Sequence, residues 1–229
     1  MNLVHKTARS VEAVSEELPN APERAAPGAR LTKQQQIVAT ARDIFFSKGF
    51  SATSMEAVAK AAGVGKATLY EFFPNKVELL RAIISVELDS RSENFTLAAA
   101  SVGEMRLNLV KFGHSLIDLL LSPANIAIYR IISAETPRHP EFGRLFYQNG
   151  PARVIGHLAR YFADLMEEGR LHYGNPTLLA SQFIGIVRAD MQTRSMLGVD
   201  DEALQRERSM VIESGVDAFM RAYAKTRAP

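Results

Sequence analysis

Lys66, Thr68 and Tyr70 alternate along a short run, Gly65–Phe72, that follows a sharp Gly63-Val64-Gly65 turn. These side-chain types suit non-covalent contact with nucleic acid. A long-stemmed ammonium reaches a phosphate or the acceptors of a guanine edge. A threonine hydroxyl donates to phosphate while its methyl meets a thymine methyl, and a phenol donates to phosphate while its ring packs. Lys76, just beyond Pro74, offers another charge for a phosphate. Other chemistries fit poorly. Gly63–Thr68 fails as a phosphate-binding loop, because Lys60 stands where the leading glycine is needed and Ala67 follows Lys66 in place of serine or threonine. The five histidines, His5, His114, His139, His157 and His172, show no paired ligand spacing, and Tyr161 stands four residues after His157. There is no cysteine, which excludes thiolate metal sites, disulfides and thiol catalysis. No metal, cofactor or enzymatic activity is expected.

The elements that must hold these side chains read as helices. Thr32 with Gln35 three residues on forms a capping box, and Ile37, Ala41, Ile44 and Phe45 lay an apolar face along a first helix that Gly49 ends. Ser54 caps a second helix whose Met55, Val58, Ala59 and Ala62 turn inward. Gly63 permits a left-handed exit, and Val64 buries between the helices of the pair. Leu69 and Phe73, four apart, anchor the Gly65–Phe72 helix and leave Lys66, Ala67, Thr68, Tyr70 and Glu71 on its other faces. Asn75 caps a long helix with Val77, Leu80, Ile84, Leu88 and Phe95 in its stripe. Further helical patterns cover about 102–121, 123–134, 138–149, 151–168, 176–194 and 201–224, and alternating β-branched runs are absent. The expected fold class is all-α, with three units: a flexible extension over 1–30, a three-helix helix-turn-helix domain over 31–76, and a larger helical domain over 77–229. Arg24 and Arg30 make the extension a candidate DNA-touching arm.

Charge supports this division. The 229-residue chain carries a formal +2, yet residues 31–85 hold seven basic against four acidic side chains, while the remainder is close to balanced. A local positive excess around the helix pair is an electrostatic footprint for phosphate. The N-terminus lacks the apolar region of a secretory signal, so a cytoplasmic location is expected and the Asn94-Phe95-Thr96 triplet reads as a chance glycosylation match. The apolar tract from Phe112 to Ala134 is interrupted by Asp118, Pro123, Asn125 and Arg130, which marks buried helices instead of a membrane span.

The run from about Thr32 to Leu80 resembles the DNA-binding domain of the TetR family of transcriptional regulators. The resemblance rests on FFSKGF at 45–50, TSMEAVAKAAGV at 53–64 and GKATLYEFFPNKVELL at 65–80. It implies that the Gly65–Phe72 helix lies in the major groove and that Thr68, Tyr70 and Lys76 contact mainly the DNA backbone. It also implies phosphate contacts from the Thr53-Ser54 cap region, with Gly65, Lys66 and Ala67 at the interface. Phe72 replaces a frequent histidine, Gly65 a frequent serine, and Ala67 a usual glycine or proline, so Gly65 and Phe72 bring no side-chain hydrogen bond to a base.

The segment Phe142–Leu171 looks like the ligand domain of an AefR-like or AcrR-like subgroup. The resemblance implies a homodimer through the helices at about 176–194 and 201–224, a double-stranded DNA operator, and a small apolar or amphipathic effector. For the effector pocket the apolar candidates are Met105, Phe112, Leu116, Phe146, Tyr147, Tyr161, Phe162 and Phe183, with His114, Asn149 or Gln182 as polar anchors. Plain helix packing competes for each of these. The expectation is a ligand-released repressor; a TetR-like activator and a helical adaptor without strong DNA binding are the alternatives.

Overall fold

The computed structural model describes residues 31–89, 102–199 and 202–225. The extension over 1–30 with Arg24 and Arg30, and the Asn94-Phe95-Thr96 triplet, lie outside the described residues. Among the described residues there are eleven helices: α1 Lys33–Lys48, α2 Met55–Ala62, α3 Lys66–Phe72, α4 Lys76–Asp89, α5 Val102–Leu121, α6 Pro123–Glu135, α7 Pro140–Asn149, α8 Pro151–Glu167, α9 Pro176–Arg188, α10 Met191–Leu197 and α11 Glu202–Tyr223. The fold is all-α, and among the described residues the one extended pairing is an isolated bridge between Leu171 and Ala224.

Local chemistry sets most helix ends. The capping box at the start of α1 forms in both directions, with the Gln35 N–H donating to Thr32 Oγ1 at 3.2 Å and the Thr32 N–H donating to Gln35 Oε1 at 2.9 Å. Pro140 pushes His139 to φ −132°, so α7 begins at 140 and not at 138. The Ser122-Pro123 junction turns the chain by 60° between α5 and α6, and no single helix among the described residues is long and apolar enough to cross a membrane.

The expected helix over 176–194 is instead two. It stops at Arg188, Ala189 takes φ 45° and ψ −127°, and α10 sets off in a new direction. No glycine or proline lies between 186 and 197 to announce the break. Tertiary contacts hold α10 on its new course. Arg130 on α6 donates to the Met196 carbonyl at 2.7 and 3.0 Å and to the Ser195 carbonyl at 3.1 Å, while Met191 buries with Ile117 and Ile212.

Two main cores follow from the apolar stripes. The first joins Ile37, Ala41 and Phe45 of α1, Val58 and Ala62 of α2, Leu69 of α3 and Leu80, Ile83 and Ile84 of α4. It continues into Ile128, Ile131 and Ile132 of α6 and Phe142 and Phe146 of α7. It therefore crosses the expected boundary at 76/77, and α4 serves both sides. The second core packs α5, α8, α9 and α11 around Phe162, Phe183 and Phe219, with Phe162 stacked on Phe219 at 5.0 Å and Phe183 edge-on to Phe219 at 5.1 Å.

The seam between α5 and α11 depends on a missing side chain. A Cβ at Gly113 would sit 2.7 Å from Cγ2 of the fully buried Ile212. Gly113→Ala is expected to destabilise the protein by about 1.5 kcal/mol through overpacking. Pairing it with Ile212→Leu, which removes the γ2 methyl, should recover part of that loss in a denaturant-unfolding cycle.

Candidate nucleic-acid interface and ligand cavity

The helix pair is built on two caps and one turn. Ser54 Oγ accepts the Ala57 N–H at 3.1 Å and opens α2. Gly63 closes it in the left-handed region at φ 67°, where a side chain would be strained, and its N–H donates to the carbonyls of Ala59 and Lys60. Gly65 then starts α3 without a side-chain cap. Leu69 and Phe73 bury in the first core beneath α3, and Val64 and Phe72 are half-buried against it. This fixes which face α3 turns outward. On that face Lys66 is 62% exposed and Tyr70 37% exposed, Gly65 and Ala67 are open to solvent, and Thr68 is half-buried.

Lys66 does not stand alone. Its ammonium pairs with Glu56 of α2 at 2.7 Å and lies 5.8 Å from the centre of the Tyr70 ring. Their hydrogen bond holds the Glu56 carboxyl below the usual carboxylate range and the Lys66 ammonium above its ordinary value. A DNA phosphate reaching Lys66 must displace or share with that carboxylate. Glu56→Gln is accordingly expected to raise affinity for duplex DNA a few-fold at low salt, with the gain shrinking as salt is added. Fluorescence anisotropy at two ionic strengths checks it. Glu56 escaped sequence reasoning because it lies ten residues from Lys66, across a turn.

Two of the expected phosphate contacts also make hydrogen bonds within the chain. Thr53 is 4% exposed, and its hydroxyl donates to the Gly49 carbonyl at 2.8 Å, which ties off the loop between α1 and α2. Lys76 donates from Nζ to the carbonyls of Phe50 at 2.8 Å, Thr53 at 3.0 Å and Ser51 at 3.4 Å, and lies 4.4 Å over the Phe50 ring. Carbonyls of the loop after α1 draw that ammonium inward, and that of Phe50 also accepts the Thr53 N–H at 3.2 Å. Both residues tie down the loop that leads into α2. Gln36 helps by donating from Nε2 to the Ala62 carbonyl at 3.0 Å.

In the larger helical part, a cavity of about 350 Å³ opens between α5, α6, α7, α8 and α9. Of the residues named for a pocket, Leu116, Phe146, Tyr147 and Asn149 line it. Met105, Phe112, Tyr161, Phe162 and Phe183 do not line it, because their apolar surface is consumed in the second core. His114 is also away from the cavity, and Gln182 accepts the Tyr223 hydroxyl at 2.9 Å at the α9–α11 seam. The lining adds residues the sequence did not single out for a pocket: Tyr129, Arg153, His157, Ile184, Arg188 and Gln192. Leu88 of α4 lines the cavity as well, although its side chain belongs to the first core.

The two parts of the chain match two family models. Residues 37–83 match that of bacterial regulatory proteins of the tetR family, and residues 107–225, more than half of the chain, match that of the C-terminal domain of AefR-like transcriptional repressors. The chain belongs to the TetR family. It is 34% identical to the flavonoid-responsive regulator FrrA, whose structure superposes with a TM-score of 0.73 over 86% of this chain and 98% of that one. Over 58 residues it is 41% identical to the HTH-type transcriptional regulator YhgD of Bacillus subtilis, a match spanning 25% of this chain and 30% of that protein. The HTH-type transcriptional repressor KstR of Mycobacterium tuberculosis is 26% identical over 190 residues, which cover 76% of this chain and 85% of KstR.

This TetR-family member is thus a transcriptional regulator with a helix-turn-helix DNA-binding domain, and not an enzyme. On the α2–α3 pair Ser54, Glu56, Lys60, Lys66, Tyr70 and Glu71 are exposed and Thr68 is half-buried. Gly65 and Ala67 add little bulk beside them.

Proposed function

We propose that this regulator is a repressor that covers a pseudo-palindromic operator as a homodimer and releases it when a small apolar or amphipathic molecule fills the cavity. The position of Leu88 carries the reading. This side chain forms part of the cavity wall and sits on the helix whose other end begins beside α3. A ligand that presses on Leu88 moves α4, and with it the first core that holds α3. The cavity also borrows Asn125 and Tyr129 of α6 and Phe146 of α7, helices that pack against that core. Polar links reinforce the joint: Ser51 Oγ donates to the buried Glu135 of α6 at 2.7 Å, and Arg42 of α1 pairs with the buried Glu87 of α4 at 3.3 Å. Release follows to the extent that the ligand prefers the state in which the two α3 helices no longer fit DNA.

The self-association surface is α9 with α11, where Leu178, Ile186 and Met210 are exposed. A two-fold pair sets the α3 helices into successive major grooves about 34–36 Å apart. The names of the AefR-like repressors, of KstR and of the flavonoid-responsive FrrA support repression and small-molecule response.

The test is operator binding by Lys66→Ala and Tyr70→Phe, on DNA selected from a random library. Each change is expected to weaken binding by about tenfold. Uniform weakening across sequences with a salt slope lower by about one marks a phosphate contact, and relaxed preference at one position marks a base contact. Unchanged affinity with the fold intact would remove α3 as the reading helix.

A further inference from the structure

We infer that the cavity takes an amphipathic organic anion, a compact aromatic or alicyclic body carrying a carboxylate or comparably acidic group. This rests on the cavity being the effector site. Its floor is apolar, with Leu88, Leu116, Leu120, Phe146, Val154 and Ile184. Its rim is cationic or protonatable. Arg153 and His157 stand one helical turn apart on α8, Arg188 faces them from α9, and all three are solvent-exposed. No lining residue is Asp or Glu. The chain as a whole holds 27 basic and 25 acidic residues, so a rim of one sign is a local arrangement and not a reflection of overall composition.

Arg188 is the cation that would hold the acidic head. Its guanidinium donates to the neutral Gln192 Oε1 at 3.3 Å, and no carboxylate among the described residues pairs with it. A guanidinium fork engages a carboxylate through two parallel, charge-assisted hydrogen bonds. A ligand with an apolar body and an acidic head can bury the body against the floor and leave the head at the rim, where solvation is retained until the fork closes on it. A neutral ligand of the same shape gains only the floor. A cationic one meets like charge at the rim and finds no counter-charge among the lining residues. The cavity volume of about 350 Å³ falls near the lower end of small-molecule sites, which fits a body of a few fused rings.

The experiment compares three probes of one shape on the full-length protein: 2-naphthoate, 2-naphthylmethanol and 2-naphthylmethylammonium, titrated by calorimetry. Naphthoate is expected to bind about tenfold more tightly than the alcohol, and the ammonium most weakly. Arg188→Gln should remove that tenfold while leaving the alcohol's Kd unchanged, and Arg188→Lys should restore part of it. Since Arg188 is exposed, an unchanged melting temperature for both variants confirms that the fold survives. Equal affinity for the three probes, a preference for the ammonium, binding of none of them, or indifference to Arg188→Gln would each overturn the proposal. Operator release separates it from the repressor reading. Arg188-dependent naphthoate binding that leaves DNA bound keeps the anion site and removes its effector role, whereas release by the alcohol alone keeps the effector role and removes the anion.

Discussion

Lys76→Met is expected to lower the stability of the regulator by about 2 kcal/mol, seen as a melting temperature lower by roughly 4–8 °C. Methionine keeps a stem of similar length over the Phe50 ring but removes the ammonium that serves the carbonyls of Phe50, Ser51 and Thr53. Water replaces it in part, because Lys76 is only half-buried, and this keeps the loss well below the sum of three charged hydrogen bonds. The same variant discriminates between the two roles open to this residue. A clamp predicts a lower melting temperature with an unchanged salt slope for DNA binding by the remaining folded protein. A phosphate contact predicts the reverse, an unchanged melting temperature and a slope lower by about one. Thermal unfolding and anisotropy on one preparation decide it.

Leu69→Ala is expected to cost about 3 kcal/mol and to abolish operator binding at concentrations where the wild type is saturated. Leu69 is the one fully buried side chain within the seven residues of α3, and a helix of that length has no stability of its own. The second core shares no residue with this contact, so α5, α8, α9 and α11 should hold together while α3 opens locally. Hydrogen exchange is the direct readout, with protection lost over 66–72 and retained over 154–166. Operator affinity within twofold of wild type, alongside the lowered stability, would mean that α3 is not the element that reads DNA.

The helices before residue 89 were legible because their determinants are local. A capping box, a Ser54 cap, a left-handed Gly63 and the Leu69/Phe73 pair each act within a few residues, and neighbouring features agree with one another. The same locality made α8 and α11 readable, since their apolar stripes hold helical spacing over several turns. Periodicity reports that a side chain is buried, but not against what. Phe162 and Phe183 therefore looked as suitable for a pocket as Phe146 did, and only the ring contacts of the first two with Phe219 separate core from cavity wall.

What the sequence by itself determined is the all-helical class, the helix-turn-helix and the identity of the face that α3 exposes, all consequences of hydrogen bonding and apolar spacing within a turn or two. The tertiary structure alone decided three things. It brought the Thr53 hydroxyl and the Lys76 ammonium onto backbone carbonyls of the loop after α1. It broke the helix expected over 176–194 at Ala189, and Arg130 from α6 holds the far end of α10 at Ser195 and Met196. And it brought Arg153, His157 and Arg188 to the rim of one cavity with Leu88 in its wall. Each of these depends on groups from separate helices meeting, and no spacing along the chain encodes that meeting.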